Sequence, residues 1–561
     1  MDFVLALHSH LPYVLNHGRW PHGSDWICEA AVDTYLPVLE MLGGLEVEGA
    51  HCPITLGITP ILAAQLAHPT FARELRLFFA QRLDACDEAI SDFQRTGEKT
   101  LTPIAEFWRG RLGRLERLFE RIDGNLIGAF RHHEAGGRIE IISSAATHGF
   151  LPLLARDESI RLQLAVGRQE HRRLFGRDPV GCWVPECAYR PAGPWHPHPD
   201  APAAAYRAGI EEHLGAAGYR YFFTDSHLAQ AGRTLGLYQD AAFPDGVLMP
   251  ADDPLDLPTA RSPFRAYLVS PRRGSPEVAT LVRDPHASRV VWSRHQGYPG
   301  DGGYLEFHKI RFPGGLKFWK VTDPNLDLGG KERYDPNTAR ARARAHAENY
   351  AGVLRGLADR EGPEGGELIA VPFDTELFGH WWFEGVDFLT DLYRALSHGP
   401  GSPRATTASQ HLISRPPVAA VQLAEGSWGA NGDFSKWLNP ETEWTWQRLW
   451  PAEERFWAAV DRSFGQVESE EVLAQAAREL LLAQASDWQF IISSATAGDY
   501  ATKRFVEHLD NLDRLLAPLE TGVVPIEARL LAADLRATND VFPDVLSALA
   551  TIREDRRLAS R

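Results

Sequence analysis

Gly181-Cys182-Trp183-Val184-Pro185-Glu186-Cys187-Ala188-Tyr189 reads as a short buried strand that carries a carboxylate to the start of a loop. The apolar run stops at Pro185, Glu186 follows at once, and a proline-rich stretch begins after Tyr189. In α/β barrels, side chains that do chemistry sit where a strand gives way to its loop. The same arrangement recurs far downstream in Leu368-Ile369-Ala370-Val371-Pro372-Phe373-Asp374-Thr375-Glu376.

Working outward from these two stretches, other short apolar runs also end in polar or ionisable groups. Phe3 to Leu7 leads to His8-Ser9-His10, Ile54 to Ile58 to Thr59, and Ile139 to Ile142 to Thr147-His148. Tyr219 to Phe223 leads to Asp225-Ser226-His227. Amphipathic stretches such as 157–175 and 338–360 lie between them, so strand, polar terminus and helix repeat. This pattern predicts an α/β barrel, with an open doubly wound sheet as the alternative. Residues 68–135 interrupt the alternation with apolar residues at helical spacing and predict a helical insertion. The stretch 226–263, rich in Gly, Pro and Asp, predicts a long functional loop around Tyr238. Beyond the break at 398–403 strand signals fade, and helices are expected over 443–463, 468–485 and 500–517. A frayed end is expected from Arg553. The expected domains are a barrel over 1–67 and 136–402, an insertion over 68–135, and a helical C-terminal domain over 403–561.

A chain of 561 residues exceeds what one core serves. The net charge of −16 argues against nucleic acid or an anionic membrane as partner, but suits a neutral glucan. Met1-Asp2 offers no basic start for a signal peptide, and no apolar run approaches the roughly 20 residues of a membrane span. Five cysteines, an odd number without C-x-x-C spacing, are expected as reduced thiols. The expectation is a cytoplasmic monomer.

Glu186 and Asp374 together suggest chemistry on a glycosidic bond. The leaving oxygen needs a proton from one carboxyl, while the other must be ionised to attack carbon or activate water. Burial and mutual repulsion would separate their pKa values. Either residue alone is more simply a buried structural carboxylate; Trp183, Tyr189, Trp195, Trp381 and Trp382 around the pair favour the functional reading. His8 and His10, two apart on a strand, share a face. They could bind sugar hydroxyls, brace a carboxylate or, with His148 and Asp225 as the available further ligands, hold a zinc ion. Trp446, Trp450 and Trp457 fall at helical spacing and read as core. Trp428 and Trp437 lie among Gly429, Asn431, Gly432, Asp433 and Ser435, so a sugar-stacking platform is expected there.

Over nearly its whole length the chain resembles glycoside hydrolase family 57, and within it the members that branch α-1,4-glucans. The likeness rests on His8 to Tyr13, Gly137 to His148, Trp183 to Cys187, Phe373 to Trp382 and Ser486 to Phe490. It implies a (β/α)7 TIM-like barrel, a helical C-terminal domain completing the cleft, and a retaining mechanism without metal or other cofactor. It makes Glu186 the nucleophile and Asp374 the acid/base. Val291-Trp292-Ser293-Arg294 and Gly297 to Asp301 resemble the branching members in particular. The likeness adds His8, His10, Trp26, His148, Tyr238, Trp292, Arg294, Asp301, Trp428, Trp437 and Asp487 as candidates for contact with an α-1,4-glucan. The rivals are a 4-α-glucanotransferase or α-amylase on the same scaffold, a metal-dependent deacetylase or amidohydrolase using His8 and His10, and a non-catalytic glucan-binding protein.

Overall fold

Asp2-Phe3-Val4-Leu5-Ala6-Leu7 is buried at every position, because the strand it forms is covered on both faces. The computed structural model describes residues 1–195, 205–238, 248–249, 261–272, 275–292, 297–323, 325–399 and 401–559. Seven strands build the centre: β1 (Asp2–Ser9), β2 (Ile54–Ile58), β3 (Ile139–Ser144), β4 (Gly181–Trp183), β5 (Tyr221–Thr224), β6 (Ala279–Val282) and β7 (Leu368–Asp374). They pair in parallel in the order β7-β1-β2-β3-β4-β5-β6. A parallel bridge between Arg283, just past β6, and Ala370 on β7 closes the ring. The sheet is therefore a seven-stranded barrel, and the open-sheet alternative falls.

The side chains divide as the two-residue period of a strand requires. Val4, Ala6, Ile142, Tyr221, Phe223, Ala279, Leu281, Leu368 and Ala370 form one small cluster inside the barrel. Phe3, Leu5, Leu7, Leu56, Ile141, Phe222, Ile369 and Val371 face the surrounding helices in the main core.

Between β2 and β3 run the helices Pro69–Thr96, Thr102–Arg121 and Leu126–Ala135. The first two meet through Phe79 and Phe119, with ring centroids 6.2 Å apart. Trp108 of the second donates through Nε1 to the Lys317 carbonyl at 2.6 Å. In the C-terminal part, Glu443–Ser463, Val467–Ala483 and Gly498–Thr521 pack as long helices. Trp446, Trp450 and Trp457 are buried there.

Three local expectations need correction. Strand structure does not end near 403, since Arg404–Ala405 pairs with β1 and Ala419–Gln422 pairs with Ala266–Val269. These strands are too short to show a sequence period. The described part of 226–263 is not simply a loop, because Ser226–Gln230 is helical and Arg233–Tyr238 pairs antiparallel with Ala419–Gln422. The expected frayed end belongs to a helix, Val545–Ala559, pinned where Arg556 meets Glu158 and Asp461 at 3.1 and 3.0 Å. All five cysteines are buried free thiols. Among the described residues no helix is long and apolar enough to cross a membrane.

Candidate active site

The inward columns of the barrel strands lead straight to the site. On β1 the column runs Val4, Ala6, His8; on β7 it runs Leu368, Ala370, Pro372, Asp374. His8 and Asp374 are register partners at the C-terminal rim. β4 lies three places from β7 around a ring of seven, so the residues it delivers face Asp374 across the mouth. Trp183 is the inward residue of β4, and Glu186 reaches the mouth through a tight turn after it. That turn places two non-glycine residues in the left-handed region, Glu186 at φ 60° and Cys187 at φ 46°. His148, across the site, has φ 59°. Each such residue costs on the order of 1–3 kcal/mol, and such strain concentrates at functional sites.

Glu186 is gripped from the C-terminal part of the chain. Trp428 donates through Nε1 to Glu186 Oε2 at 2.9 Å, and its backbone N–H donates to the Glu186 carbonyl at 3.0 Å. Ser486 Oγ donates to Oε1 at 3.3 Å. Burial pushes Glu186 up to about 7, and the Trp428 hydrogen bond holds it from rising further. Burial also lifts Asp374 well above the usual carboxyl range, reinforced by the charges of Glu376 and Glu186. Asp374 accepts no hydrogen bond from the described residues. Its protonation is therefore set by desolvation and by neighbouring charge.

Three histidines line the wall between the carboxylates. His8 Nε2 and His148 Nε2 lie 3.0 Å apart, and His148 Nδ1 lies 3.0 Å from Ser486 Oγ. Because Ser486 gives its proton to Glu186, it accepts one from His148 Nδ1. His148 Nε2 is then the lone pair that accepts from His8 Nε2–H, which leaves the buried His8 Nδ1 without a partner. Burial, with help from nearby His10, keeps His8 and His148 neutral. His10 differs. Burial opposes its charge, but Asp487, at 2.9 Å, with Glu186 and Glu376 raises its pKa above the ordinary value.

His10, His148 and Asp487 are grouped closely enough to invite a metal reading, with ligand atoms within 4.8 Å of one another. The ring geometry opposes it. The His10 and His148 rings stack at 4.1 Å with planes 23° apart. Imidazole lone pairs lie in the ring plane, so nearly parallel rings cannot converge on one ion. Asp487 is already bound to His10, and His148 Nε2 to His8. The donor set fits a hydrogen-bonded wall better than a metal cage.

The other candidates separate clearly. Trp292 stacks on Phe373, the neighbour of Asp374, at 6.2 Å and meets Trp428 at 5.8 Å. Trp292 is 38% exposed, so it offers a free aromatic surface at the mouth. Trp26 instead meets His22, which leans on Tyr500. The loop composition around Trp437 suggested an exposed platform, but the residue is 1% exposed and stacks on Phe150 at 4.6 Å. The turn folds back so that its ring fills a core. Asp301 is bound to Arg342 at 2.8 Å and to the Gly303 N–H at 2.7 Å, which gives it a structural job. Asp225 pairs with Arg283 at 3.1 Å rather than with His8 and His10. Tyr238 is placed only as backbone, paired with Leu248, and Arg294 lies outside the described residues.

Sequence reasoning missed Tyr35 and Glu376. Tyr35 closes a short π-helical turn, Ala31–Tyr35, and donates to Glu376 Oε1 at 2.5 Å, where the His10 N–H also arrives at 3.2 Å. The available signal was Glu376 itself, a second carboxylate two residues beyond Asp374.

Comparison with known proteins agrees with this geometry. The profile of glycosyl hydrolase family 57 matches residues 4–412, and that of the 1,4-alpha-glucan branching enzyme C-terminal region matches 448–548. A 1,4-alpha-glucan branching enzyme of Thermococcus kodakarensis is 38% identical over 518 residues, covering 91% of this chain and 73% of the relative. The crystal structure of a family 57 branching enzyme from Pyrococcus horikoshii superposes with a TM-score of 0.86 at 35% identity, covering 98% of this chain and 96% of the other. The α-amylase AmyC of Thermotoga maritima superposes with a TM-score of 0.78 at 26% identity, covering 98% and 99%.

Proposed function

Because this chain belongs to glycosyl hydrolase family 57, we propose that it is a 1,4-α-glucan branching enzyme acting by retaining double displacement. In the first step a Glu186 carboxylate oxygen bonds to the anomeric carbon of an α-1,4-glucan. The bond from that carbon to the departing 4-oxygen breaks, and Asp374 gives that oxygen its proton. In the second step Asp374 takes the proton of an acceptor 6-hydroxyl, whose oxygen bonds to the anomeric carbon as the Glu186 ester breaks. Two inversions leave an α-1,6 branch.

The observation that carries the roles is the asymmetry of the two carboxyls. Glu186 is steadied by Trp428 and Ser486 and is pushed up to about 7, whereas Asp374 has no hydrogen-bond donor among the described residues and burial lifts it well above the usual carboxyl range. Donors to its oxygens favour the ionised form of Glu186, and nothing among the described residues does the same for Asp374, so the proton stays preferentially on Asp374. That is the state the first step needs.

Transfer rather than hydrolysis requires the acceptor to outcompete water. The C-terminal part supports this reading by supplying Trp428, Ser486 and Asp487 to a site that the barrel alone would leave open. The stacked His10 and His148 rings, with His10 already bonded to Asp487 and His148 to His8 and Ser486, support a reaction that needs no metal.

The test is the product. Amylose incubated with the enzyme should gain α-1,6 anomeric signals in its ¹H NMR spectrum, and a debranching enzyme should release the new chains. Accumulation of reducing ends without α-1,6 signals would assign the chain to hydrolysis. Activity should survive exhaustive dialysis against EDTA; loss that only added zinc restores would overturn the metal-free reading.

A further inference from the structure

The inward columns that supply His8 and Asp374 supply two more ionisable groups that the proposed reaction leaves idle. On β5 the column Tyr221, Phe223 continues to Asp225, and on β6 Ala279, Leu281 continues to Arg283. Val282 and Thr224 are the last register partners of these neighbouring strands, and the Arg283 N–H donates to the Thr224 carbonyl at 2.9 Å. Arg283 Nη1 meets Asp225 Oδ2 at 3.1 Å, with both side chains mostly buried. The Arg283 Nε is buried without a partner.

Two features direct this cation toward Asp374. Arg283 stands at the barrel's closure, beside β7, through its bridge to Ala370. Its guanidinium lies 5.8 Å from the Trp292 ring, and that ring stacks on Phe373, next to Asp374. The charged or titratable groups facing Asp374 are Glu376 from its own rim turn, Glu186 and the neutral Cys187 thiol from the turn after β4, His8 from β1 and Arg283 from β6. Among the described residues Arg283 is the cation of this set, His8 being neutral.

We propose that Arg283, tethered by Asp225, is the positioning residue that holds Asp374 ionised in the second half of the reaction. This rests on the retaining reading above. In the free enzyme burial, with the charges of Glu376 and Glu186, keeps the proton on Asp374. Once Glu186 is an ester its charge is gone, and Asp374 has just given up its proton. Arg283 is then the cation that offsets the remaining Glu376 charge and favours the carboxylate that must accept the acceptor's 6-hydroxyl proton. Asp225 shares the cation, so that it does not strip the proton from Asp374 before the first step.

Trapping wild-type enzyme with a 5-fluoro-α-glycosyl fluoride and mapping the labelled peptide tests the underlying reading. Label on Glu186 sustains it; label elsewhere, or none, defeats it whatever Arg283 does. Given that label, Arg283→Gln should lower kcat and KM together by tenfold or more, leave kcat/KM within about threefold, and accumulate glycosyl-enzyme in rapid-quench mass spectrometry. Arg283→Lys should restore turnover. Asp225→Asn keeps the helix-capping oxygen and frees the cation, so the alkaline limb of kcat/KM should move to lower pH by about one unit. The proposal is overturned if folded Arg283→Gln loses kcat/KM without accumulating intermediate, or loses nothing. Should that variant fail to fold, an unmoved alkaline limb in Asp225→Asn overturns it instead.

Discussion

The two ends of the barrel are built from the same inward columns, yet they do opposite things. On β1 the column begins at Asp2 and ends at His8; on β3 it begins at Glu140. At the floor, Asp2 accepts two hydrogen bonds from Arg404 and one from His411, all at 2.9 Å. Glu140 accepts from Tyr221 at 2.7 Å, from the Ser409 N–H at 3.0 Å, and from the Ser409 hydroxyl. At the mouth, Asp374 accepts nothing from the described residues, His8 Nδ1 and Arg283 Nε are unpaired, and His148, Glu186 and Cys187 hold left-handed backbones. Burial alone is therefore not what makes a barrel carboxylate reactive. What matters is how far burial is answered by donors: fully for Asp2 and Glu140 at the floor, partly for Glu186 at the mouth, and for Asp374 by none among the described residues.

The contrast breaks first if mouth substitutions act on stability rather than rate. Glu186→Gln should abolish measurable transfer, and Asp374→Asn should lower kcat on amylose by about 10²–10⁴-fold, each with a melting temperature at or above wild type. A variant that loses activity by unfolding would erase the distinction. Trp437 lies near the mouth in sequence yet belongs with the core. Trp437→Ala should lower unfolding free energy by about 3–5 kcal/mol in denaturant titration. A stable variant with a raised ratio of hydrolysis to branching would return it to the substrate platform.

The sign of the pH dependence sharpens the comparison. The folded pKa of Glu186 is raised to about 7. Its contribution to stability therefore declines as pH rises from about 4, its unfolded value, to about 7, and stays low above that. Glu186→Gln removes the decline, so the variant should gain about 3 kcal/mol on wild type between pH 4 and pH 8. Asp2 has the opposite sign. Burial opposes its charge, but His411 and Arg404 hold its pKa well below the usual range. Its contribution is present above about pH 4 and is lost as pH falls below that. Asp2→Asn should then cost about 1–3 kcal/mol at pH 7, little in acid, and leave kcat within twofold. The smallest effect is expected from Trp428→Phe. It removes the hydrogen bond that restrains Glu186, so the acid limb of kcat should move up by less than about one pH unit. A downward shift would show that Trp428 acts otherwise.

Much of this site was legible before the fold. Glu186 and Asp374 stand out because each follows an apolar run at a strand end, and strand ends are where a barrel exposes what it carries. His8 was legible for the same reason. Trp437 was misread because loop composition reports backbone conformation, not which way a ring turns. Arg283 was overlooked because a single cation after Val-Thr-Leu-type residues has no local signature until β6 is placed beside β7.

The sequence by itself determined the short apolar runs that end in polar groups, and with them which carboxylates stand at strand ends; which residues enter the barrel came only with the fold. The sequence also determined the helical character of the C-terminal part, since apolar spacing is a local property of the chain. Only the tertiary structure decided that β4 and β7 stand opposite, that Trp428 and Ser486 return to grip Glu186, and that Asp225 belongs to Arg283 rather than to a metal. Those relations depend on distances between residues far apart in the chain and on how nearby charge shifts each proton, and such terms exist only once the ring has closed.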